Sequence, residues 1–268
     1  MMRVKERAEP AESAALRGTR PEGARDEREA ERQVREMFSR IAPRYDFLNH
    51  FLSLSFDRLW RRRTAESSTW AMRQPGTRIL DVCCGTGDLG FALDRVRQKR
   101  LCYAAGTRRP IFGCDFAEPM LGRARIKAAQ GGRRVEFASA DALQLPFRDA
   151  SFDLVSTAFG FRNLANYESG LREFARVLRP GGELGILEFS EPRSGALAAA
   201  YRFYFTRILP RIGGAISGSS AAYSYLPESV RKFPLPEVLK EMMESAGFRD
   251  VTFERWTCGI VALHRAVR

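Results

Sequence analysis

Three acids recur along this chain, each at the end of a short apolar run. Asp81 closes Arg78-Ile79-Leu80, Asp115 closes Pro110-Ile111-Phe112-Gly113-Cys114, and Asp141 lies just beyond Val135-Glu136-Phe137-Ala138. Between the first two acids runs Gly85-Thr86-Gly87-Asp88-Leu89-Gly90. Glycine backbone lets a ligand come close to main-chain amides, and carboxylates accept protons from hydroxyls and amines. Such groups suit a nucleotide-like ligand at the carboxyl ends of strands in an open α/β sheet.

Two ligand classes fit that outline. The glycine run matches the dinucleotide pattern G-x-G-x-x-G, which alone is a weak signal. An acid at Asp81, beside the loop, is of little use next to a pyrophosphate. It can instead hold an ammonium or organise water around a sulfonium. Asp115 can accept both ribose hydroxyls, a device common to both classes. Asp141, in Ser139-Ala140-Asp141-Ala142, is placed to face an adenine amine. The set therefore favours S-adenosylmethionine, with Asp81, Gly85, Thr86, Gly87, Asp115, Phe116, Asp141 and Ala142 as its candidate binding residues. Any one of the three acids could equally be a strand-end turn or a helix cap; three in succession with the glycine loop argue for a ligand. Cys83 and Cys84 read as small residues beside the loop, since no His stands near to activate a thiol.

The positioning elements follow from the alternation of apolar and helical patterns. Strands are predicted at Arg78–Val82, Pro110–Cys114, Val135–Ala138, Phe152–Thr157 and Glu183–Phe189, with helices at Asp88–Arg97, Pro119–Gln130 and Tyr167–Leu178. Before them come a helical lead-in at Glu31–Ile41, an aromatic-rich segment from Tyr45, and a helix at Trp60–Met72. After them, helix Leu235–Ala246 stops at Gly247, and Val251–Trp256 and Gly259–His264 flank Thr257-Cys258 as a hairpin. The expected architecture is an α/β, Rossmann-like, mostly parallel seven-stranded sheet with an antiparallel C-terminal hairpin. Residues 98–110 read as a surface insertion.

Size and charge set further bounds. A chain of 268 residues holds one such domain with extensions. Its net charge is +12, yet residues 1–33 carry eight basic and eight acidic groups, so the excess lies on residues 34–268. The first 33 residues, poor in large apolar side chains, are expected to be a disordered charged arm, without the apolar core of a secretory signal. Five cysteines lack Cys-x-x-Cys spacing and neighbouring His, which points to reduced, buried residues with neither zinc nor disulfides. No run is apolar enough to span a bilayer. The expected location is cytoplasmic, with peripheral contact to an anionic membrane. Residues 196–216, apolar but broken by Arg202, Arg207, Pro210 and Arg211, are the candidate lid or interfacial segment.

Longer stretches carry a family resemblance. Tyr45-Asp46-Phe47-Leu48-Asn49, Ser53 and Asp57-Arg58-Leu59-Trp60 are similar to the N-terminal signature of the UbiE/MenG family, C-methyltransferases of ubiquinone and menaquinone biosynthesis. Arg176-Val177-Leu178-Arg179-Pro180-Gly181-Gly182-Glu183-Leu184 with Glu188-Phe189-Ser190 resembles its second signature, and Phe159-Gly160-Phe161-Arg162-Asn163 and Val261-Ala262-Leu263-His264-Arg265 also match. The resemblance runs from about residue 34 to 266. It implies a methyltransferase domain over 34–268, with an N-terminal lid at 34–75 and a substrate-lid insertion at 191–234. It further implies methylation of a ring carbon of a polyprenylated quinol, most readily demethylmenaquinol, with a methoxy-polyprenyl-benzoquinol as the alternative. S-adenosylmethionine is the implied donor and no metal is needed. Arg162, Asn163 and Tyr45 are the implied catalytic residues: Arg162 lowering the pKa of a ring hydroxyl, Asn163 hydrogen-bonding the ring oxygen, Tyr45 orienting the ring or relaying the proton. The family usually has His where Asp57 stands, and often a cofactor-contacting Ser where Ala158 stands.

Three other readings compete. A dehydrogenase explains the glycine loop but neither Asp141 nor the terminal hairpin. A nucleic-acid methyltransferase would explain the charge but usually carries Asn/Asp-Pro-Pro-Tyr where this chain reads Thr157-Ala158-Phe159-Gly160; no nucleic acid is expected as partner. A scaffold with a decayed site would not keep the acids and the Arg-Asn pair. Oligomerisation is left open.

Overall fold

The structure is a computed structural model and describes residues 18–46, 50, 53, 55–74, 76–100, 109–192, 199, 203, 204, 207 and 220–268. Seven strands form one sheet: β1 (Ile79–Val82), β2 (Ile111–Asp115), β3 (Val135–Ser139), β4 (Phe152–Ala158), β5 (Leu178–Phe189), β6 (Arg249–Trp256) and β7 (Val261–Val267). The helices are α1 (Glu27–Ile41), α2 (Phe56–Ser67), α3 (Asp88–Arg100), α4 (Glu118–Gly131), α5 (Tyr167–Val177), α6 (Ser220–Lys232) and α7 (Pro236–Ser245). The sheet order is β3-β2-β1-β4-β5-β7-β6. β1 pairs parallel with both β2 and β4, whereas β7 runs antiparallel between β5 and β6. The order reverses between β1 and β4, and that switch point opens a crevice at the strands' carboxyl ends.

Helices on both faces explain the near-continuous burial of the central strands. All four residues of β1 and the first six of β4 are buried. Alternation sends Leu80 and Val155 to one core cluster with Phe161, Tyr167 and Phe174. Ile79 and Leu154 go to the other, with Leu93 and Ile111. α5 buries Tyr167, Gly170, Leu171, Phe174 and Val177, a helical stripe, and Asn166 caps it by accepting from the Ser169 amide at 2.9 Å.

Several expected boundaries move. The lead-in helix begins at Glu27, where the Asp26 side chain accepts the Glu29 amide proton at 2.8 Å. Preceding it, the Thr19 amide donates to the Leu164 carbonyl at 2.8 Å. The expectation of a disordered arm through residue 33 therefore does not hold for residues 18–33, and residues 1–17 lie outside the described residues. Composition misled because this segment is held by main-chain bonds, by the side chains of Thr19 and Arg20 bonding Tyr225 and the Ala165 carbonyl, and by the small buried Ala30. α2 spans Phe56–Ser67 rather than Trp60–Met72. Beyond it, the hydroxyls of Ser68 and Thr69 bond the carbonyls of Thr64 and Glu66, which competes with further helix. β5 starts at Leu178, paired with Phe152, and a register shift opposite Asp153 absorbs the Pro180-Gly181-Gly182 turn, with Gly181 at φ 78°. The β6–β7 link is a 3-10 turn over Thr257–Gly259 rather than two residues. Of the expected 98–110 insertion, residues 98–100 belong to α3 and 101–108 lie outside the described residues, as does most of 193–219. Among the described residues no helix is long and apolar enough to cross a membrane.

Candidate active site

The glycine loop is fixed from two sides. Gly85 and Gly87 take φ of 54° and 87°, a region that favours glycine. A side chain at Gly87 would stand 2.8 Å from the Phe137 ring. Asp115 accepts the Gly85 amide at 2.9 Å through one oxygen and the Ala117 amide at 2.9 Å through the other. Asp81 accepts the Gly90 amide at 2.8 Å through Oδ2, while its buried Oδ1 has no partner. Burial pushes the Asp81 carboxyl up to about 8 and raises that of Asp115 too. Asp141 closes a small turn by accepting the Leu143 amide at 2.8 Å.

One cavity gathers most of the expected residues. Tyr45, Asp81, Gly85, Thr86, Asp115, Phe116, Asp141, Ala142 and Asn163 all line it. Gly87 lies outside the lining and packs below the loop. Thr86 is turned toward the N-terminal segment, where its hydroxyl donates to Asp46 at 2.5 Å. Lys127 binds Asp46 at 3.0 Å, Asp88 at 2.6 Å and the Thr86 hydroxyl at 3.1 Å, so one ammonium ties the segment after α1 to the loop. Cys83 and Cys84 also line the cavity; burial drives both thiols well up, so neither supplies a thiolate at neutral pH. Contact with Cys83 fixes Gly160 as glycine, since a side chain there would stand 2.3 Å from the Cys83 Cβ.

Arg162 occupies a different place from the one the sequence implies. It is 4 % exposed and not part of the cavity lining. Its guanidinium pairs with Glu188 at 3.1 Å and donates to the Phe159 carbonyl. Burial opposes its charge, but Glu188, Tyr45 and Tyr225 outweigh that and hold it cationic; burial raises Glu188 against the pull of Arg162. Asn163 does reach the cavity. Its Oδ1 accepts from the Tyr225 hydroxyl at 3.0 Å, and that hydroxyl lies 2.9 Å from the Thr19 hydroxyl. Its Nδ2 donates to the Phe159 carbonyl at 3.4 Å.

Sequence reasoning missed Lys127, Glu188, Tyr225 and Thr19. Glu188 stands within a quoted motif without a role there. Thr19 lies in an arm that composition dismissed, and no local signal marks it. Three consecutive arginines, Arg61, Arg62 and Arg63, take separate places, because successive helical residues point about 100° apart. Arg61 turns inward to Asp57 at 2.5 Å, Arg62 pairs with Glu66 at 3.0 Å, and Arg63 lies over the Trp256 ring. Asp57 also takes His50 at 2.8 Å and the Ser53 hydroxyl at 2.8 Å. His50, Asp57 and Asp88 approach one another, but Arg61 and Lys127 already occupy the two carboxylates. His264 donates to the Pro236 carbonyl at 2.9 Å, and burial lowers it to about 4, far from the cavity's chemistry.

The donor set fits S-adenosylmethionine. The partnerless Asp81 oxygen beside the glycine loop suits an ammonium, Asp115 retains lone pairs for hydroxyls, and Asp141 with Phe116 and Ala142 forms a wall for a base. Fold and site together define a Rossmann-like S-adenosylmethionine-dependent methyltransferase. Solved structures agree on the fold: one from Thermotoga maritima, described as a SAM-dependent methyltransferase and possible histamine N-methyltransferase, superposes with a TM-score of 0.58 at 18% identity, covering 87% of this chain and 99% of its own. More narrowly, the ubiE/COQ5 methyltransferase family model matches residues 25–268, and the chain belongs to that family. A demethylmenaquinone methyltransferase of Thermus thermophilus is 51% identical over 228 residues, covering 85% of this chain and 98% of the relative. Another, from Deinococcus radiodurans, is 47% identical over 239 residues, covering 89% and 93%.

Proposed function

We propose that the protein transfers a methyl group from S-adenosylmethionine to a ring carbon of demethylmenaquinol, giving menaquinol. The observation that carries this reading is the convergence of Asp81, Asp115 and Asp141 with Tyr45 and Asn163 on one cavity. The names of the relatives at 51% and 47% identity support the menaquinone substrate over the benzoquinol one.

The donor supplies an electrophilic methyl group; the chain's own residues do the rest. Asp81 and the Gly85 loop hold the amino-acid end, Asp115 the ribose, and Asp141, Phe116 and Ala142 the base. A neutral hydroquinone carbon is a weak nucleophile, so the neighbouring ring hydroxyl gives up its proton as the carbon attacks and the donor's S–C bond breaks; the methylated ring carbon then loses its own hydrogen as a proton and the ring oxygen regains one, which restores the aromatic quinol. Asn163 stabilises the developing oxyanion. With its Oδ1 engaged by Tyr225 and one Nδ2 proton by the Phe159 carbonyl, the amide keeps its second Nδ2 proton for the ring oxygen. Arg162 acts from behind as a fixed positive charge, partly neutralised by Glu188, while water carries the proton away. Tyr45, which packs edge-on against Phe38 at 5.9 Å between ring centres, orients the quinol ring. Nothing in this scheme calls on a metal. A polyprenylated quinol resides in the bilayer, so the protein works from the cytoplasm at the inner membrane face.

The test is methylation by the full chain of a chemically reduced demethylmenaquinone, read by mass spectrometry. Asn163→Ala should lower turnover about 100-fold, as loss of one oxyanion donor does, and leave cofactor affinity intact. Gain of one methyl by a methoxy-benzoquinol instead would change the substrate and keep the chemistry. Methylation of neither quinol would sink the proposal.

A further inference from the structure

The outer face of α2 and the groove between α2 and α3 carry a pattern that the methyl-transfer site does not use. α2 buries Asp57, Trp60, Arg61, Thr64 and Ala65. The opposite arc exposes Phe56 at 43% and Leu59 at 39%. A rotation of about 100° per residue places those two on one flank and Arg58 and Arg62 on the other. The basic flank faces a groove into which Arg95 and Lys99 of α3 and Arg133 beyond α4 also project. Arg58, Arg95, Lys99 and Arg133 make no side-chain hydrogen bond or salt bridge with any described residue. The groove's acids are paired with other cations: Asp46 and Asp88 with Lys127, and Glu66 with Arg62. Burial, then the neighbouring Arg133, hold the Arg95 guanidinium below its ordinary value, with Arg58 adding to the crowding and Asp88 and Asp94 only partly offsetting it. Arg61 and Asp88 line both this groove and the cofactor cavity, so the two adjoin.

We infer that this face seats the protein on an anionic phospholipid bilayer: Phe56 and Leu59 enter the acyl boundary while Arg58, Arg95, Lys99 and Arg133 bind headgroup phosphates. The inference rests on the quinol reading, because a bilayer-dissolved substrate gives the enzyme reason to dock beside its own cavity. A helix lying flat with an apolar flank and a cationic flank is how proteins rest in an interface. The apolar pair is what separates this partner from a nucleic acid or a free phosphate, neither of which offers an apolar phase. Docking here brings the cavity mouth to the membrane, and the quinol ring reaches it without crossing water. Candidate segment 196–216 lies almost wholly outside the described residues; the α2 face stands independently of it.

The experiment is co-sedimentation of the full-length protein with phosphatidylglycerol–phosphatidylcholine vesicles and with pure phosphatidylcholine vesicles. Wild type should bind the anionic vesicles, and high salt should release it. Arg58→Glu/Arg95→Glu/Arg133→Glu should weaken binding by at least about fivefold per charge removed. Leu59→Asp should weaken it without changing the salt dependence. Turnover on a tail-less soluble quinol should stay at the wild-type level in both variants, while turnover on vesicle-embedded quinol falls with binding. Equal sedimentation of the triple variant and wild type overturns the proposal. So does binding of inorganic pyrophosphate or RNA, lost in the triple variant, by a protein that ignores vesicles. Failure of the quinol reading shows separately, as wild type that sediments with vesicles yet methylates no soluble quinol.

Discussion

At the scale of single residues, Asp81 holds the most chemistry. It is buried, keeps one oxygen without a partner, and is pushed up to about 8 from an ordinary value near 3.8. Because the folded value exceeds the unfolded one, the empty protein keeps this proton across the window between them, and Asp81 withdraws stability as pH rises through it. A cofactor ammonium reverses the balance by favouring the carboxylate. Binding at pH 7 should therefore release close to one proton, measurable by calorimetry in buffers of different ionisation enthalpy. Asp81→Asn should abolish the release and weaken cofactor binding about 10- to 100-fold, the value of a hydrogen bond to a charged group; an unchanged proton count would show that Asp81 is already ionised. The Arg162–Glu188 pair makes a second prediction. Removing Glu188 as Glu188→Ala strands a guanidinium that is 4 % exposed, and stability to urea should fall by about 3–5 kcal/mol. A loss near zero would mean that water or a neighbour replaces the carboxylate.

At the scale of elements, the decisive contact joins the segment before α1 to α6 and to the loop after β4. The segment before α1 bonds the loop after β4, and Thr19, Tyr225 of α6 and Asn163 form one hydroxyl–hydroxyl–amide chain. Gly18 is needed there because a Cβ would stand 2.1 Å from the Ala165 carbonyl oxygen. Tyr225→Phe removes only the hydroxyl that fixes the Asn163 amide. Turnover should drop about tenfold, the worth of one such bond in a barrier, with the KM for S-adenosylmethionine and the melting temperature nearly unchanged. Thr19→Val, which leaves the Tyr225–Asn163 bond in place, should cost less. Parallel losses in turnover and melting temperature would instead make this chain a purely structural strap.

At the scale of the whole molecule, the sheet offers one crevice at its switch point, and ligands that fill it stabilise the entire fold by mass action. S-adenosylmethionine at 100 times its dissociation constant should add about 2.7 kcal/mol, which for a domain of this size is a rise of roughly 5–10 °C in melting temperature. NADH should give no shift, and a shift with NADH alone would return the dinucleotide reading. The charge asymmetry is also a property of the whole molecule. The excess of +12 resides on residues 34–268, and part of it gathers on a single groove instead of spreading as a solvated coat.

Much of this was legible beforehand because it rests on local rules. Period-two and period-3.6 patterns marked the strands and helices, glycines marked the loop, and an acid after each apolar run marked where a ligand's hydroxyls and amines go. Tyr45, Asp81, Asp115, Asp141 and Asn163 were all found that way or by resemblance, and all line one cavity. What the sequence could not determine depends on distance in the chain. That Arg162 turns from the cavity to Glu188, 26 residues on, that Lys127 clamps Asp46 to the glycine loop, and that Thr19 meets Tyr225 across 206 positions are decided by packing. A side chain's partner is set by which elements the sheet order makes neighbours, and no window of sequence contains that order. The same holds for the groove of Arg58, Arg95, Lys99 and Arg133: four ordinary cations in the sequence become one surface only when α2, α3 and the end of α4 are brought side by side.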